Sequence, residues 1–142
     1  MTIKLDEVGF YTLSERRARE ASPTSQLMRC EVLLTGRCNF RCPYCRGVGG
    51  PDARTEDVLE MLERWAGDYL FAVRFSGGEP TLHPGLELMV QHARTLGVER
   101  IAVSTNGSAA WSLYARLSEA GLNDASGALD ACCAEDGDRM AG

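Results

Sequence analysis

The stretch Cys30–Cys45, CEVLLTGRCNFRCPYC, joins a strand pattern to a loop that is rich in cysteine, glycine and arginine. The apolar run Cys30–Thr35 predicts a buried β-strand. Residues Gly36–Pro51, which we call the cysteine loop, interrupt this pattern, and helical spacing of apolar residues begins after Thr55. The stretch therefore predicts a strand followed by a loop that carries three cysteines, and the sequence after Thr55 predicts a helix.

The same order recurs along the chain. Apolar runs predict further strands over Leu70–Phe75 and Arg100–Ser104, and a weak fourth strand near Ser126–Leu129. Helical spacing of apolar residues predicts a helix after each of the first three strands. Thr55 is the predicted N-cap of the first helix. A glycine is predicted to end each helix. The predicted stops are Gly67, Gly97 and Gly121. Alternating strands and helices predict an α/β fold with a parallel sheet of three to four strands and flanking helices.

Three polar segments follow strands directly. The cysteine loop follows the first strand, the glycine loop Ser76–Gly85 (SGGEPTLHPG) follows the second, and the turn Ser104–Gly107 follows the third. Ligands of open α/β sheets bind beyond the carboxyl ends of the strands. We therefore expect these segments to gather at one edge of the sheet and to form a site there.

The cysteine loop carries three closely spaced thiols, on Cys38, Cys42 and Cys45. Thiolates favour iron–sulfur clusters or zinc. Three thiolates on a [4Fe–4S] cluster leave one iron open to another ligand. A zinc site needs a fourth ligand, for which Cys30 and His83 are the nearest candidates. A redox-active CxxC pair formed by Cys42 and Cys45 is a further alternative.

The pattern C-x3-C-x2-C, with the aromatic Tyr44 before the last cysteine, resembles the signature of the radical S-adenosylmethionine (SAM) superfamily. The resemblance implies a [4Fe–4S] cluster on Cys38, Cys42 and Cys45, whose fourth iron is chelated by the methionine part of SAM. It also implies reductive cleavage of SAM to a 5′-deoxyadenosyl radical, which takes a hydrogen atom from a substrate. The implied fold is part of a (βα) barrel.

Other segments resemble later motifs of the same family. The resemblance implies that the glycine loop binds the methionine moiety of SAM, with Glu79 available for its ammonium group, that Tyr44 helps to seat the adenine, and that the end of the third strand lines the pocket. The implied SAM contacts are Tyr44, Gly77, Gly78, Glu79, Pro80, Ser104, Thr105 and Asn106. Residues 129–131 and 138–142 resemble segments at and beyond the family's fourth strand, but Ala128 replaces a serine that often contacts SAM.

The resemblance covers residues 29–142, and residues 1–28 read as a polar N-terminal extension. A family barrel has six βα units as a rule, whereas this chain supplies three and a doubtful fourth. We therefore expect a truncated radical SAM core. A compact family member, or a sheet completed by another chain, are the alternatives.

Composition limits the possible partners. The net charge of −5 argues against broad nucleic-acid binding. The sequence has no apolar run long enough to cross a membrane and no apolar leader, so we expect a cytoplasmic protein with reduced thiols. The resemblance implies an electron donor such as a flavodoxin or ferredoxin. The substrate stays unknown.

Several other residues have both a functional and a structural interpretation. Arg74 matches the place where a basic residue of the GTP 3′,8-cyclase group contacts substrate phosphate, but a solvated surface arginine gives the same pattern. Cys30 is expected to be a small core residue of the first strand, and His83 and His92 are expected to be surface or hydrogen-bonded histidines instead of ligands. Cys132 and Cys133 are expected to be bystanders. The leading hypothesis is thus a radical SAM enzyme domain; a non-catalytic iron–sulfur domain and a small zinc-binding interaction module are the alternatives.

Overall fold

The computed structural model describes residues 28–47, 49–127 and 133–141. The predicted N-terminal extension lies outside these ranges, except for Met28, and so do Ala128, the 129–131 motif and Cys132. The elements in chain order are β1 (Arg29–Thr35), α1 (Thr55–Gly67), β2 (Ala72–Gly77), a 3₁₀ turn (Pro80–Leu82), α2 (Leu86–Thr95), β3 (Arg100–Thr105), α3 (Trp111–Ala120), β4 (Asp124–Gly127) and α4 (Ala134–Ala141).

The strands form one parallel sheet in the order β1-β2-β3-β4. This arrangement confirms the predicted α/β class, the parallel sheet and the strand number. Each strand is followed by a helix, as a parallel sheet requires. All the loops that leave the carboxyl ends of β1, β2 and β3 therefore emerge at the same edge.

One face of the sheet carries the core. Val32 of β1, Phe75 of β2 and Val103 of β3 are buried on this face, beneath side chains of the first three helices. The helix residues buried against them include Val58, Leu62, Leu86, Met89, Val90, Ala93 and Leu117. Removal of this apolar surface from water is the main stabilising term of the fold. The helical periodicity of the sequence identified this layer correctly.

The opposite face of the sheet is polar at its centre. The strand register places Glu31 of β1, Arg74 of β2, Ala102 of β3 and Asp124 of β4 side by side. Glu31 and Arg74 are exposed, and the Arg100 guanidinium forms an ion pair with Asp124. The helices that bury the apolar face thus leave the charged residues of this second face accessible.

Two local predictions need correction. The second strand begins at Ala72 instead of Leu70, because Leu70 N–H donates to the Trp65 carbonyl and completes the end of α1. The first helix has Arg54 as N-cap, without a side-chain cap. Thr55 is the first residue of the helix, and its hydroxyl lies beside Gly85, where an added Cβ would be only 2.3 Å from the Thr55 Oγ1 atom.

Two C-terminal elements also differ from expectation. The fourth strand begins at Asp124, earlier than predicted, and 128–129 lie outside the described residues. Helix α4 was not predicted, since Gly137 and a scarcity of apolar residues obscure its pattern. In residues 28–47, 49–127 and 133–141, every helix is too short or too polar to span a lipid bilayer.

Candidate cluster and cofactor site

The three loops at the carboxyl edge contact one another, as the topology predicted. Gly78 N–H donates to the Thr35 carbonyl at 2.7 Å, and Glu79 N–H donates to the Arg37 carbonyl at 2.8 Å. The Asn106 side-chain amide donates to the Asn39 side-chain oxygen at 2.9 Å. The glycine loop and the turn after β3 are thus joined directly to the start of the cysteine loop.

The cysteines differ in exposure. Cys38 and Cys45 are exposed, Cys42 is half-buried, and all three are free thiols. Cys38 Sγ lies 3.4 Å from Phe40 N–H and 3.7 Å from the side-chain amide of Asn106. Two N–H groups, one from the cysteine loop and one from the turn after β3, therefore point at this sulfur atom.

The cysteine loop also contacts helix α4. Arg41 N–H donates to the Ala141 carbonyl at 2.8 Å, and Cys42 Sγ lies 3.9 Å from the same oxygen. A tight turn joins Cys45 N–H to the Cys42 carbonyl at 3.0 Å. The contact with α4 explains why Cys42 is the most shielded of the three predicted ligands.

The donor chemistry of the loop fits an iron–sulfur cluster. It supplies three reduced thiols of the type that such clusters require. Among the described residues, however, three His, Cys, Asp or Glu side chains are nowhere gathered closely enough to hold a metal ion. The assignment of Cys38, Cys42 and Cys45 as cluster ligands therefore stays a prediction.

The candidates for a fourth zinc ligand are engaged elsewhere. His83 is 5% exposed, its Nε2 lies 2.8 Å from the Ala53 carbonyl, and its Nδ1 accepts a hydrogen bond from Gly85 N–H. Burial raises the pKa of the Cys30 thiol to about 12, which disfavours the thiolate that zinc needs. Both residues match the predicted structural role.

An ion pair closes the base of the cysteine loop. The Arg37 guanidinium donates from Nη2 to Asp52 Oδ2 at 2.6 Å and from Nε to Asp52 Oδ1 at 3.1 Å. Thr35 Oγ1 donates to the same carboxylate at 2.6 Å. The hydrogen bonds from Arg37, followed by that from Thr35, lower the pKa of Asp52. The sequence analysis missed this pair, although opposite charges at the two ends of the loop were a usable signal.

The glycines of the glycine loop accommodate the neighbouring loop. A Cβ on Gly77 would lie 2.4 Å from the Thr35 carbonyl oxygen, and one on Gly78 would lie 2.2 Å from that of Arg37. Gly77 also has φ of +138°, which L side chains rarely adopt. These glycines let the glycine loop approach the end of β1 and the start of the cysteine loop.

The remaining predicted contacts lie in different environments. Glu79 is 0% exposed and Pro80 is also buried, at the start of the 3₁₀ turn. Thr105 is 8% exposed and lies 3.0 Å from the Tyr114 hydroxyl, while Ser104 and Asn106 are half-buried. Tyr44 is 50% exposed on the cysteine loop. Their contacts with SAM stay predictions.

The predicted bystanders and Arg74 also stay predictions. Cys133 is exposed and its thiol donates to Asp136 Oδ2 at 3.2 Å, remote in sequence from the cysteine loop. Arg74 is exposed on the polar face of the sheet, two residues before Ser76. The side chain is accessible on that face, and its contact with a substrate phosphate stays a prediction.

Comparison with known proteins identifies the family. The model of the radical SAM superfamily matches residues 32–136. A probable GTP 3′,8-cyclase of Methanothermobacter thermautotrophicus is 36% identical over 101 residues, which are 68% of this chain and 33% of that protein. Human molybdenum cofactor biosynthesis protein 1 is 33% identical over 107 residues, covering 70% of this chain and 17% of that protein. The chain thus spans a third or less of the length of these relatives.

Solved structures agree with this assignment. BtrN in an open conformation superposes with a TM-score of 0.55 at 27% identity, over 72% of this chain and 50% of that one. Streptococcus suis SuiB bound to S-adenosylmethionine has a TM-score of 0.51 at 19% identity, over 59% of this chain and 19% of that one, and supports the fold alone. Because the family model covers well over half of its length, this chain belongs to the radical SAM superfamily.

Proposed function

We propose that this chain is the part of a radical SAM enzyme that binds a [4Fe–4S] cluster and S-adenosylmethionine. The observation that carries the proposal is the contact, at one sheet edge, between the cysteine loop, the glycine loop and the turn after β3. Each loop bears a motif of the family, and the fold brings the three together. The chain matches a third or less of the length of these relatives, so the activity of the whole protein is part of the proposal.

In this proposal, Cys38, Cys42 and Cys45 hold the cluster and leave one iron open. When bound together, the cluster and SAM supply a 5′-deoxyadenosyl radical by one-electron cleavage of SAM. The chain's own residues position SAM: the glycine loop and Ser104–Asn106 border it, and Tyr44 contributes an aromatic surface. A flavodoxin or ferredoxin is the proposed class of electron donor, and the substrate is not specified.

In this proposal, cluster binding would also stabilise the cysteine loop. The ordering of a loop by its metal couples binding to local folding. The Arg37–Asp52 pair at the base of the loop reduces the number of residues that must be ordered.

Electron paramagnetic resonance of the anaerobically reconstituted, dithionite-reduced protein tests the proposal. We expect a [4Fe–4S]⁺ signal whose shape changes when SAM is added, because SAM occupies the open iron. A cluster signal that ignores SAM would support the non-catalytic iron–sulfur alternative. Bound zinc without any iron signal would support the zinc module and contradict the proposal.

A further inference from the structure

Glu79 combines charge with complete burial. Its side chain is 0% exposed, and an ionised carboxylate is costly to remove from water unless donors replace its hydration. Here Oε1 accepts from Thr81 N–H at 3.0 Å, from Thr81 Oγ1 at 2.5 Å and from Thr105 Oγ1 at 2.8 Å. Oε2 accepts from Asn106 N–H at 2.7 Å. The carboxylate is therefore satisfied by the protein itself.

The donors connect Glu79 to the cysteine loop. Asn106, whose backbone N–H is held by Glu79, uses its side-chain amide on two groups of that loop. The amide nitrogen lies 2.9 Å from Asn39 Oδ1 and 3.7 Å from Cys38 Sγ. Asn39 in turn donates to Ser108 Oγ at 2.8 Å, beyond Asn106 in the same turn. A continuous hydrogen-bonded path thus runs from the buried carboxylate to the first predicted cluster ligand.

We propose that Glu79 is a positioning residue, which fixes the Asn106 amide against Cys38 Sγ, and that its carboxylate does not bind the ammonium group of SAM. The burial and the four intramolecular donors leave an approaching cation no access to the carboxylate unless this network opens. The functional part of this inference rests on the proposed function, since it assumes that Cys38 holds a cluster.

This hydrogen-bonded path would affect the reduction potential of the cluster. Hydrogen bonds to cluster sulfur atoms stabilise the additional negative charge of the reduced state and raise the reduction potential. The Asn106 amide is such a donor, directed at the sulfur of a predicted ligand. Glu79 would therefore influence the reduction potential through Asn106, without touching the cluster or SAM.

The first test uses the protein without cluster. Glu79→Gln places a side-chain NH2 group among groups that are themselves donors. We therefore expect a lower melting temperature and hydrogen exchange at the backbone N–H of Asn106 that is faster by roughly tenfold or more. Thr105→Val removes a single donor and should change both quantities in the same direction by less, which keeps the test informative if Glu79→Gln does not fold. Val90→Ala, in the core beneath α2, is the matched control: it should lower the melting temperature without selectively accelerating exchange at Asn106.

The second test is an EPR-monitored redox titration of the reconstituted protein. Glu79→Gln and Asn106→Ala should both make the reduction potential of the cluster more negative, and the double variant should add little to either single variant. Val90→Ala should leave the potential unchanged. Unaltered exchange at Asn106 and an unaltered potential in Glu79→Gln, together with a weakened response to SAM, would overturn the inference in favour of direct ligand binding. If the wild-type protein takes up no iron, the proposed function fails, while the cluster-free exchange result still decides whether Glu79 holds the turn.

Discussion

The cysteine loop and the glycine loop leave the same sheet edge but are built in opposite ways. In the glycine loop, Glu79, Pro80, His83 and Gly85 are buried and their polar groups are hydrogen-bonded within the protein. In the described part of the cysteine loop, residues 36–47 and 49–51, every residue is exposed or half-buried. The glycine loop is thus part of the folded core, whereas the cysteine loop lies on its surface.

The difference indicates a division of roles. The proposed ligand atoms lie on the loop whose described residues are all exposed or half-buried. In the glycine loop beside it, Gly78 and Glu79 bond to the backbone of Thr35 and Arg37, and Glu79 also holds Asn106 of the turn after β3. Metal sites depend on such supporting residues as strongly as on the ligands themselves.

The largest expected effect separates ligand cysteines from other cysteines. Cys42→Ala should reduce cluster iron to background, because two thiolates from one loop do not retain a cubane cluster that needs at least three. Cys133→Ala, which removes an exposed thiol outside the cysteine loop, is the matched control and should keep the iron content of the wild type. Iron and sulfide analysis after anaerobic reconstitution measures both. Loss of iron in Cys133→Ala would show that the bystander assignment is wrong.

A pair of glycine substitutions measures the difference in rigidity between the loops. In Gly78→Ala the new Cβ would lie 2.2 Å from the Arg37 carbonyl oxygen, so one of two backbones must move, and we expect a loss of roughly 2–3 kcal/mol in the free energy of unfolding. In Gly47→Ala the Cβ has nothing within 4 Å, and only the backbone strain of φ +65° remains, about 1 kcal/mol. Urea unfolding of the cluster-free protein gives both values. Equal losses would contradict the proposed contrast between the loops.

The sequence predicted the fold and the meeting of the three loops because those depend on element order alone. Alternating strands and helices permit only parallel neighbours, and parallel neighbours bring their following loops to one edge. It also favoured a satisfied His83 over a metal-binding one, because histidines are more often surface or satisfied side chains than ligands. These inferences used hydrophobic periodicity and the order of residues along the chain, both of which can be read from the sequence.

The partners of individual side chains could not be predicted in the same way. The Glu79 carboxylate looked available for an ammonium group because its donors, Thr105 and Asn106, lie 26 and 27 residues further along the chain. The contact of α4 with Cys42 spans 99 residues. Such contacts depend on the relative placement of elements to within an ångström, whereas sequence patterns specify only which face of an element is buried.

The smallest expected effect concerns the base of the cysteine loop and its dependence on pH. Hydrogen bonds from Arg37 and Thr35 lower the pKa of Asp52, so the folded state favours the ionised carboxylate. The stabilisation is therefore present above the pKa of Asp52 in the unfolded chain, about 4, and is lost as pH falls through the lower pKa of the folded state. Because the Arg37 and Asp52 side chains are 56% and 38% exposed, solvent screening keeps the contribution small.

Asp52→Asn should therefore lower the melting temperature of the cluster-free protein at neutral pH, and this difference from the wild type should shrink as the pH is reduced below the unfolded value. Asp57→Asn is the matched control, since Asp57 is 65% exposed and its nearest contact with Arg54 is 3.8 Å. Melting curves across the acid range measure both variants. If the two variants respond to pH in the same way, the Arg37–Asp52 pair does not hold the base of the cysteine loop. If only Asp52→Asn loses its effect in acid, the ionised Asp52 carboxylate and its donors, Arg37 and Thr35, hold the base of the cysteine loop.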